Sequence, residues 1–286
     1  MNFKFSLQTL CCITLFSLHV QAIDSQAEVI YIHTENQQDF EYLNNNNGMH
    51  RLSVATNLYA LSAISQPLKF EYMTAKRSLK FMDQNNESIC LVNKLKTQDR
   101  LEKYIFSSPI NLFLGRRLYQ DNFYSVLNGF ETFDNQISLD ELFKQKPDAR
   151  ILISNQISYG DELEKQLAAL SHKNKVIRHS PEHDSGIISM FSRGHIEFSL
   201  LYPQQVYNSK TALNVRSYKL ANTPPFVLGH LMCNKTPETK SFVKQINTHL
   251  NKQESSVKLL DIHLQFINQQ DQAMLTHYFH QVFYYP

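Results

Sequence analysis

The chain has 286 residues, a formal net charge of +2, no tryptophan and only seven glycines. The small net charge and the lack of a basic stripe in the sequence argue against nucleic-acid binding. No glycines are spaced as G-x-G, and neither G-x-S-x-G nor H-E-x-x-H occurs, which excludes the P-loop, the dinucleotide fingerprint and two common catalytic motifs.

Residues 1–22 predict a secretory signal peptide that is cleaved on export. Lys4 gives a positive start, residues 7–18 form a short apolar run, and Ala22 ends a site of small residues. The run is interrupted by polar side chains and is shorter than the roughly 20 apolar residues of a transmembrane helix. An uncleaved anchor is the alternative. We therefore expect an exported, soluble mature chain of residues 23–286.

The first part of the mature chain alternates strands with helices. The residue pattern predicts strands at 28–34, 68–72 and 88–93, helices at 52–64 and 75–82, and a loop at 39–50. The alternation continues with strands at 149–154, 175–179 and 196–201 and helices at 139–143, 161–170 and 184–192. Two β-like segments, 215–220 and 226–233, and two helices, 240–250 and 271–283, complete the chain. This order favours an α/β fold with parallel strands and crossover helices.

Cys90 and Cys233 are the two cysteines of the predicted mature chain. An exported protein meets an oxidising compartment, and an even number of cysteines favours a disulfide between them. Two buried free thiols are the alternative. The histidines are scattered and predict no metal site.

The stretch from residue 88 to residue 109 carries the most specific signal. A short apolar strand is followed by a polar turn that contains Thr97 and Arg100, and then by Phe106, two serines and Pro109. Free backbone N–H groups and a fixed guanidinium suit a bound carboxylate. The order of strand, T-x-x-R and F-[ST]-x-P resembles the ligand site of class II periplasmic solute-binding proteins of the amino-acid-binding type, extracellular solute-binding family 3.

The resemblance implies a two-lobed α/β fold in which each lobe is a mostly parallel sheet flanked by helices. Residues 23–115 and 226–286 would form lobe one, residues 116–225 would form lobe two, and two hinge crossings would join them. The ligand would lie in the cleft between the lobes, at the carboxyl ends of the strands. The same topology would bring both cysteines into lobe one.

The resemblance also implies ligand-binding roles in lobe one. Arg100 would clamp a ligand carboxylate, and Thr97 and Asn93 would hold the same group; a surface arginine paired with a neighbouring acid, and ordinary turn chemistry, are the alternatives. Arg77 would add a second anion anchor unless it is a solvated helix residue. Lys94 and Lys96 in this turn depart from the family pattern and favour a more acidic ligand.

In lobe two, Ser158 and Tyr159 follow a strand and precede a helix, so they would present a hydroxyl and N–H groups to the ligand, or simply cap the helix. Tyr202 would stack on the ligand or only pack. The family places an acid near Tyr202 to receive the ligand's ammonium, and this chain has none there. That departure argues against a plain α-amino acid.

The resemblance, together with these residues, predicts a periplasmic solute-binding protein that is not an enzyme and uses no cofactor or metal. It would capture a small polar, carboxylated ligand and deliver it to an inner-membrane permease or report it to a sensor, acting as a monomer and binding no nucleic acid. The alternative is an accessory or interaction protein that keeps the fold but has a degenerate ligand site. A ligand-dependent rise in melting temperature would distinguish the two.

Overall fold

The computed structural model describes residues 28–283 except 48–49, 85, 130–135, 156, 180–183 and 210. The predicted signal peptide therefore lies outside the described residues. Among the residues described, no helix combines the length and the apolar character that crossing a membrane requires.

Twelve strands occur in the described part of the chain. In order they are β1 Ile30–Thr34, β2 Leu68–Tyr72, β3 Ile89–Lys94, β4 Ile105–Phe106, β5 Asn111–Leu114, β6 Arg117–Asp121, β7 Gln136–Ile137, β8 Ile151–Ser154, β9 Lys175–Arg178, β10 Phe198–Leu201, β11 Val215–Leu220 and β12 Phe226–Cys233.

Eleven α-helices accompany them in the same described residues. They are α1 Gln37–Asn44, α2 Leu52–Leu61, α3 Ala75–Gln84, α4 Gln98–Lys103, α5 Leu139–Gln145, α6 Asp161–Ala169, α7 Asp184–Phe191, α8 Pro203–Tyr207, α9 Pro237–Leu250, α10 Gln253–Leu264 and α11 Gln269–Phe283.

The strands form two six-stranded sheets, one in each lobe. Lobe one has the order β2-β1-β3-β12-β4, with β5 also paired to β12, and lobe two has the order β7-β11-β6-β10-β8-β9. Both sheets are mixed rather than mostly parallel. The antiparallel pairs arise where the chain crosses between lobes, because β12 runs against β3, β4 and β5, and β6 runs against β10 and β11.

Each sheet is covered on both faces, which explains why its central strands are continuous apolar runs. In β8, Ile151 and Ile153 belong to the hydrophobic cluster of α5 and α6, whereas Leu152 points the other way into the cluster that contains Phe191 of α7. The same alternation in lobe one places Cys90 towards α9 and α11. Successive side chains of each strand therefore pack against helices on opposite faces of the sheet.

The two crossing segments, residues 114–117 and 220–226, lie side by side. The Gly115 N–H donates a 2.7 Å hydrogen bond to the carbonyl oxygen of Pro225. A Cβ atom at Gly115 would lie 2.4 Å from the carbonyl oxygen of Pro224, so a residue with a side chain does not fit without movement of the backbone. The close approach of the two crossings thus depends on this glycine.

The disulfide between Cys90 and Cys233 is present and joins neighbouring strands. Cys233 of β12 lies opposite Cys90 of β3, with 4.0 Å between their Cα atoms. The prediction of a disulfide is therefore confirmed, and both cysteines are in the lobe-one sheet.

Four helices were not predicted from the sequence: the short α4 and α8, and two longer helices, α1 and α10. The asparagine-rich segment assigned to a loop contains α1, whose N-terminus is capped by the Asn36 side chain, which accepts a 3.0 Å hydrogen bond from the Asp39 N–H. Helix α10 is the second of the longer two, and it buries Ser255 and Ser256 rather than a continuous apolar stripe. Buried polar residues obscure the helical period that sequence analysis relies on.

Candidate functional site

A cavity of about 550 Å³ lies between the two lobes. Its wall contains the residues that follow four strands: Glu35 after β1, Lys94 at the end of β3, Ser158 beyond β8 and Tyr202 after β10. The carboxyl ends of strands are where α/β sheets bind ligands, and the volume suits a small molecule. The fold therefore places the cavity where the resemblance predicted a ligand.

The lobe-one wall carries two ion pairs. Lys94 pairs with Glu35, and the Arg51 Nε atom lies 3.1 Å from an Asp39 carboxylate oxygen. The Ser53 hydroxyl also donates to Asp39, at 3.0 Å. Burial lowers the pKa of Lys94; the Glu35 carboxylate opposes that effect, and the charge of Arg100 adds to it. Both acidic side chains of this wall thus already have cationic partners.

Asn93 holds the end of β3 in an unusual conformation, with a φ angle of 56°. Its side-chain oxygen accepts hydrogen bonds from the side-chain amides of Asn57, at 3.0 Å, and Asn111. This network ties β3 to α2 and β5 behind the cavity. Asn93 lines the cavity, but its side-chain oxygen is already engaged in hydrogen bonds within lobe one.

Arg100 also lines the cavity and is half-buried. Its Nη1 atom donates a 3.0 Å hydrogen bond to the Leu95 carbonyl oxygen, which fixes the guanidinium against the turn. Thr97 is the exposed N-cap residue of α4 and is not among the residues that line the cavity.

The structure does not bring Arg77 or Lys96 to the cavity wall. Arg77 is exposed and lies over the ring of Phe81, 5.6 Å from its centroid. Lys96 lies over the ring of Phe106 on another side of lobe one. Of the lysines that suggested an acidic ligand, only Lys94 faces the cavity.

In lobe two, the segment before α6 is held by its own side chains. The Ser158 hydroxyl and the Tyr159 N–H both donate 2.9 Å hydrogen bonds to Glu164 Oε1, and the N-cap residue of α6 is Gly160 rather than Ser158. Ser158 reaches the cavity wall. The Tyr159 hydroxyl accepts a 2.8 Å hydrogen bond from the Ser154 N–H, and burial raises the pKa of this tyrosine.

Sequence analysis missed Arg116, which lies in the first crossing and lines the cavity. Its guanidinium carbon is 4.7 Å from the ring centroid of Tyr159 and 4.0 Å from that of Tyr202, so both predicted tyrosines contact it. The only sequence signal was the pair of arginines at the predicted crossing, because the contact joins residues that are distant in the sequence.

Gln204 is the second missed residue. It follows Tyr202, near the position where the family has an acid, and it is buried in the cavity wall. Within the part of the chain that the structure describes, neither polar atom of its carboxamide has a hydrogen-bond partner.

No family model matches this sequence, and no curated protein matches it in sequence. Solved structures match in fold. A probable amino-acid ABC transporter extracellular-binding protein from Bacillus subtilis is 13% identical with a TM-score of 0.59, and the match covers 85% of this chain and 99% of that chain. A mutant of ArgBP from T. maritima is 13% identical with a TM-score of 0.57, over 85% of this chain and 96% of the other.

A histidine kinase sensor domain with similarity to periplasmic binding proteins also matches. It is 9% identical with a TM-score of 0.58, over 86% of this chain and 98% of that chain. These proteins are named for binding or sensing rather than for catalysis. At such identities the similarity is one of fold, and it confirms the two-lobed fold of class II solute-binding proteins that the residues around Arg100 predicted.

Proposed function

We propose that this protein is an exported solute-binding protein that captures a small polar, carboxylated ligand between its lobes. The observation that carries the proposal is a cavity lined by residues of both lobes. A ligand that contacts both walls stabilises the closed arrangement over the open one, and this population shift is the whole mechanism. No step is catalytic.

The moving bodies would be residues 116–225 and the remainder of the mature chain, 23–115 with 226–286. The paired crossings support this division, because they are the covalent connections between the two sheets. The closed, ligand-bound form of a monomer would then be recognised by a membrane permease or a sensor. The fold neighbours include both an extracellular binding protein of a transporter and a sensor domain.

A thermal-shift screen of residues 23–286 tests the proposal. The compounds are amino acids, dicarboxylates, polyamines and small peptides, and Arg100→Ala is measured in parallel because Arg100 lines the cavity. At a hundred times its Kd, a ligand raises the unfolding free energy by about 2.7 kcal/mol, which corresponds to roughly 5–10 °C for a chain of this size.

A matched control is Arg193→Ala, since Arg193 is exposed and not among the residues lining the cavity. It should keep the ligand-dependent shift that Arg100→Ala weakens. A folded wild-type protein that shifts with no compound would reject the proposal.

That negative result would favour the second candidate, an accessory protein with a degenerate site. The observation that favours this alternative is that Glu35 and Asp39, the acids of the lobe-one wall, are both paired with cations of the protein. A zwitterionic amino acid would have to displace one of these pairs to place its ammonium.

A further inference from the structure

Arg116 occupies an environment that a structural arginine rarely has. Its Nε and Nη1 atoms are buried and have no hydrogen-bond partner among the described residues. The rings of Tyr159 and Tyr202 contact its guanidinium, at 4.7 and 4.0 Å from their centroids. The aromatic contacts attract the charge, but they satisfy none of the N–H groups.

A buried guanidinium without an acceptor lowers the stability of a protein, because its lost hydration is not replaced. Arg116 borders the cavity, so an acceptor can reach it there. The fork of N–H groups matches a planar, bidentate acceptor, and a carboxylate is the small-molecule group of that shape.

The charges around the cavity define the ligand further. The cationic side chains of its wall include Arg51, Lys94, Arg100 and Arg116, and its acids Glu35 and Asp39 are paired with Lys94 and Arg51. Among the described residues, Arg100 and Arg116 are left with no carboxylate within ion-pair distance. Two such cations suit a ligand with two negative charges, whereas an ammonium finds no unpaired acid among the described residues of this wall.

Gln204 adds an uncharged partner to the same wall. Its carboxamide can donate two hydrogen bonds and accept two, and both of its polar atoms are buried without a partner in the residues that the structure describes. An amide donor beside a carboxylate adds hydrogen bonds without adding charge.

We propose that Arg116, Tyr202 and Gln204 form a carboxylate subsite at the hinge, with Tyr159 packed on the Arg116 guanidinium, and that the ligand is a small dicarboxylate whose second carboxylate binds Arg100. This inference rests on the proposed function and specifies its ligand class. Because Arg116 belongs to a crossing segment while Tyr202 and Gln204 belong to lobe two, the bound carboxylate would contact the hinge and one lobe together.

Calorimetric titration with three matched compounds tests the ligand class. Glutarate has two carboxylates, L-glutamate adds an ammonium, and L-glutamine lacks the second carboxylate. We expect glutarate to bind most tightly, and L-glutamate to bind about tenfold or more tightly than L-glutamine, the effect of hydrogen bonds to a charged group. A neutral amino acid that binds as tightly as glutarate, or a failure of all dicarboxylates to bind, would overturn the inference.

Arg116→Gln tests the subsite, with Arg193→Gln as the exposed control. Arg116→Gln should weaken glutarate binding by about ten- to a hundredfold. Its melting temperature without ligand should equal or exceed that of the wild type, because an unpaired buried charge is removed. A merely structural arginine would give the opposite pair of results: a lower melting temperature and unchanged binding.

Arg116→Lys keeps the charge but loses the planar fork, so it should bind glutarate more weakly than the wild type even if Arg116→Gln does not fold. Equal binding by Arg116→Lys would count against the subsite. If an amino acid shifts the wild type in the screen above but no dicarboxylate does, the proposed function stands and this inference falls. If no compound binds at all, both fall.

Discussion

Two buried histidines of lobe one, His230 and His263, have hydrogen-bond partners inside the protein. The Leu112 N–H donates to His263 Nε2 at 2.9 Å, and His263 Nδ1 donates to the Leu259 carbonyl at 2.6 Å. His230 Nδ1 lies 2.9 Å from the Ser107 carbonyl oxygen. Burial lowers the pKa of both histidines to about 4. In contrast, the buried Nε and Nη1 atoms of Arg116 have no such partners in the described part of the chain.

These two pKa values predict a loss of stability in mild acid. The unfolded chain binds protons at its histidines near pH 6.5 but the folded chain binds them only near pH 4, so stability is complete above pH 6.5 and falls as the pH falls towards 4. Between pH 7 and pH 5 each histidine should remove about 2 kcal/mol of unfolding free energy.

Urea denaturation at several pH values measures this loss, and carboxylates contribute little above pH 5. His263→Gln, which cannot titrate, should show a shallower dependence on pH than the wild type. A wild-type protein that is equally stable at pH 7 and pH 5 would contradict the prediction.

Between elements, the clearest polar connection near the hinge joins β6 to α11. Arg117 Nη1 and Nη2 both donate to the Asp271 carboxylate, the former at 3.2 Å. Asp271 is buried, and the Asn268 side chain donates a further 3.0 Å hydrogen bond to it. The pair thus connects the first strand of the lobe-two sheet to a lobe-one helix beside the crossing.

Asp271→Ala should lower the unfolding free energy by about 3–5 kcal/mol, because it leaves the Arg117 charge without its partner in a mostly buried position. Chemical denaturation measures the change. The matched comparison is Glu162→Ala, which removes an exposed ion pair with Lys165 and should cost less than about 1 kcal/mol. Similar losses in the two variants would show that the Asp271 pair is not specially stabilising.

Over the whole molecule, strands and helices with regularly spaced apolar residues could be predicted from the sequence. So could the site residues that belong to short sequence motifs. β11 and β12 have the bounds that were predicted, and the order of strands and helices was sufficient for the α/β class, whereas the two-lobed fold was implied by the resemblance that the residues around Arg100 carry. The cavity wall was only partly predictable. Arg100 and Tyr202 could be found from short motifs, but Arg116 acquires its role from tyrosines distant in sequence.

The disulfide is a property of the whole chain, because it closes a loop of 143 residues that contains every strand of the lobe-two sheet. In the chain-entropy description such a crosslink contributes about 4–5 kcal/mol by restricting the unfolded state. Replacing Cys90 and Cys233 together by alanine should therefore lower the urea midpoint markedly.

The reduced wild type should match the double variant in this measurement, and the double variant itself should not respond to reductant. Equal midpoints for the oxidised wild type and the double variant would show that the crosslink adds no stability. Ligand binding should survive in the double variant under conditions where it stays folded, since neither cysteine is among the residues that line the cavity.

The position of the disulfide also determines how the protein responds to force. A pull applied to the two ends of the chain passes from β3 to β12 through the bonded sulfur atoms. The segment between the cysteines, which includes the lobe-two sheet and both crossings, carries none of that load. Force on the termini therefore does not stretch the second lobe. Until the disulfide is reduced, such a pull extends only the residues outside the covalent loop.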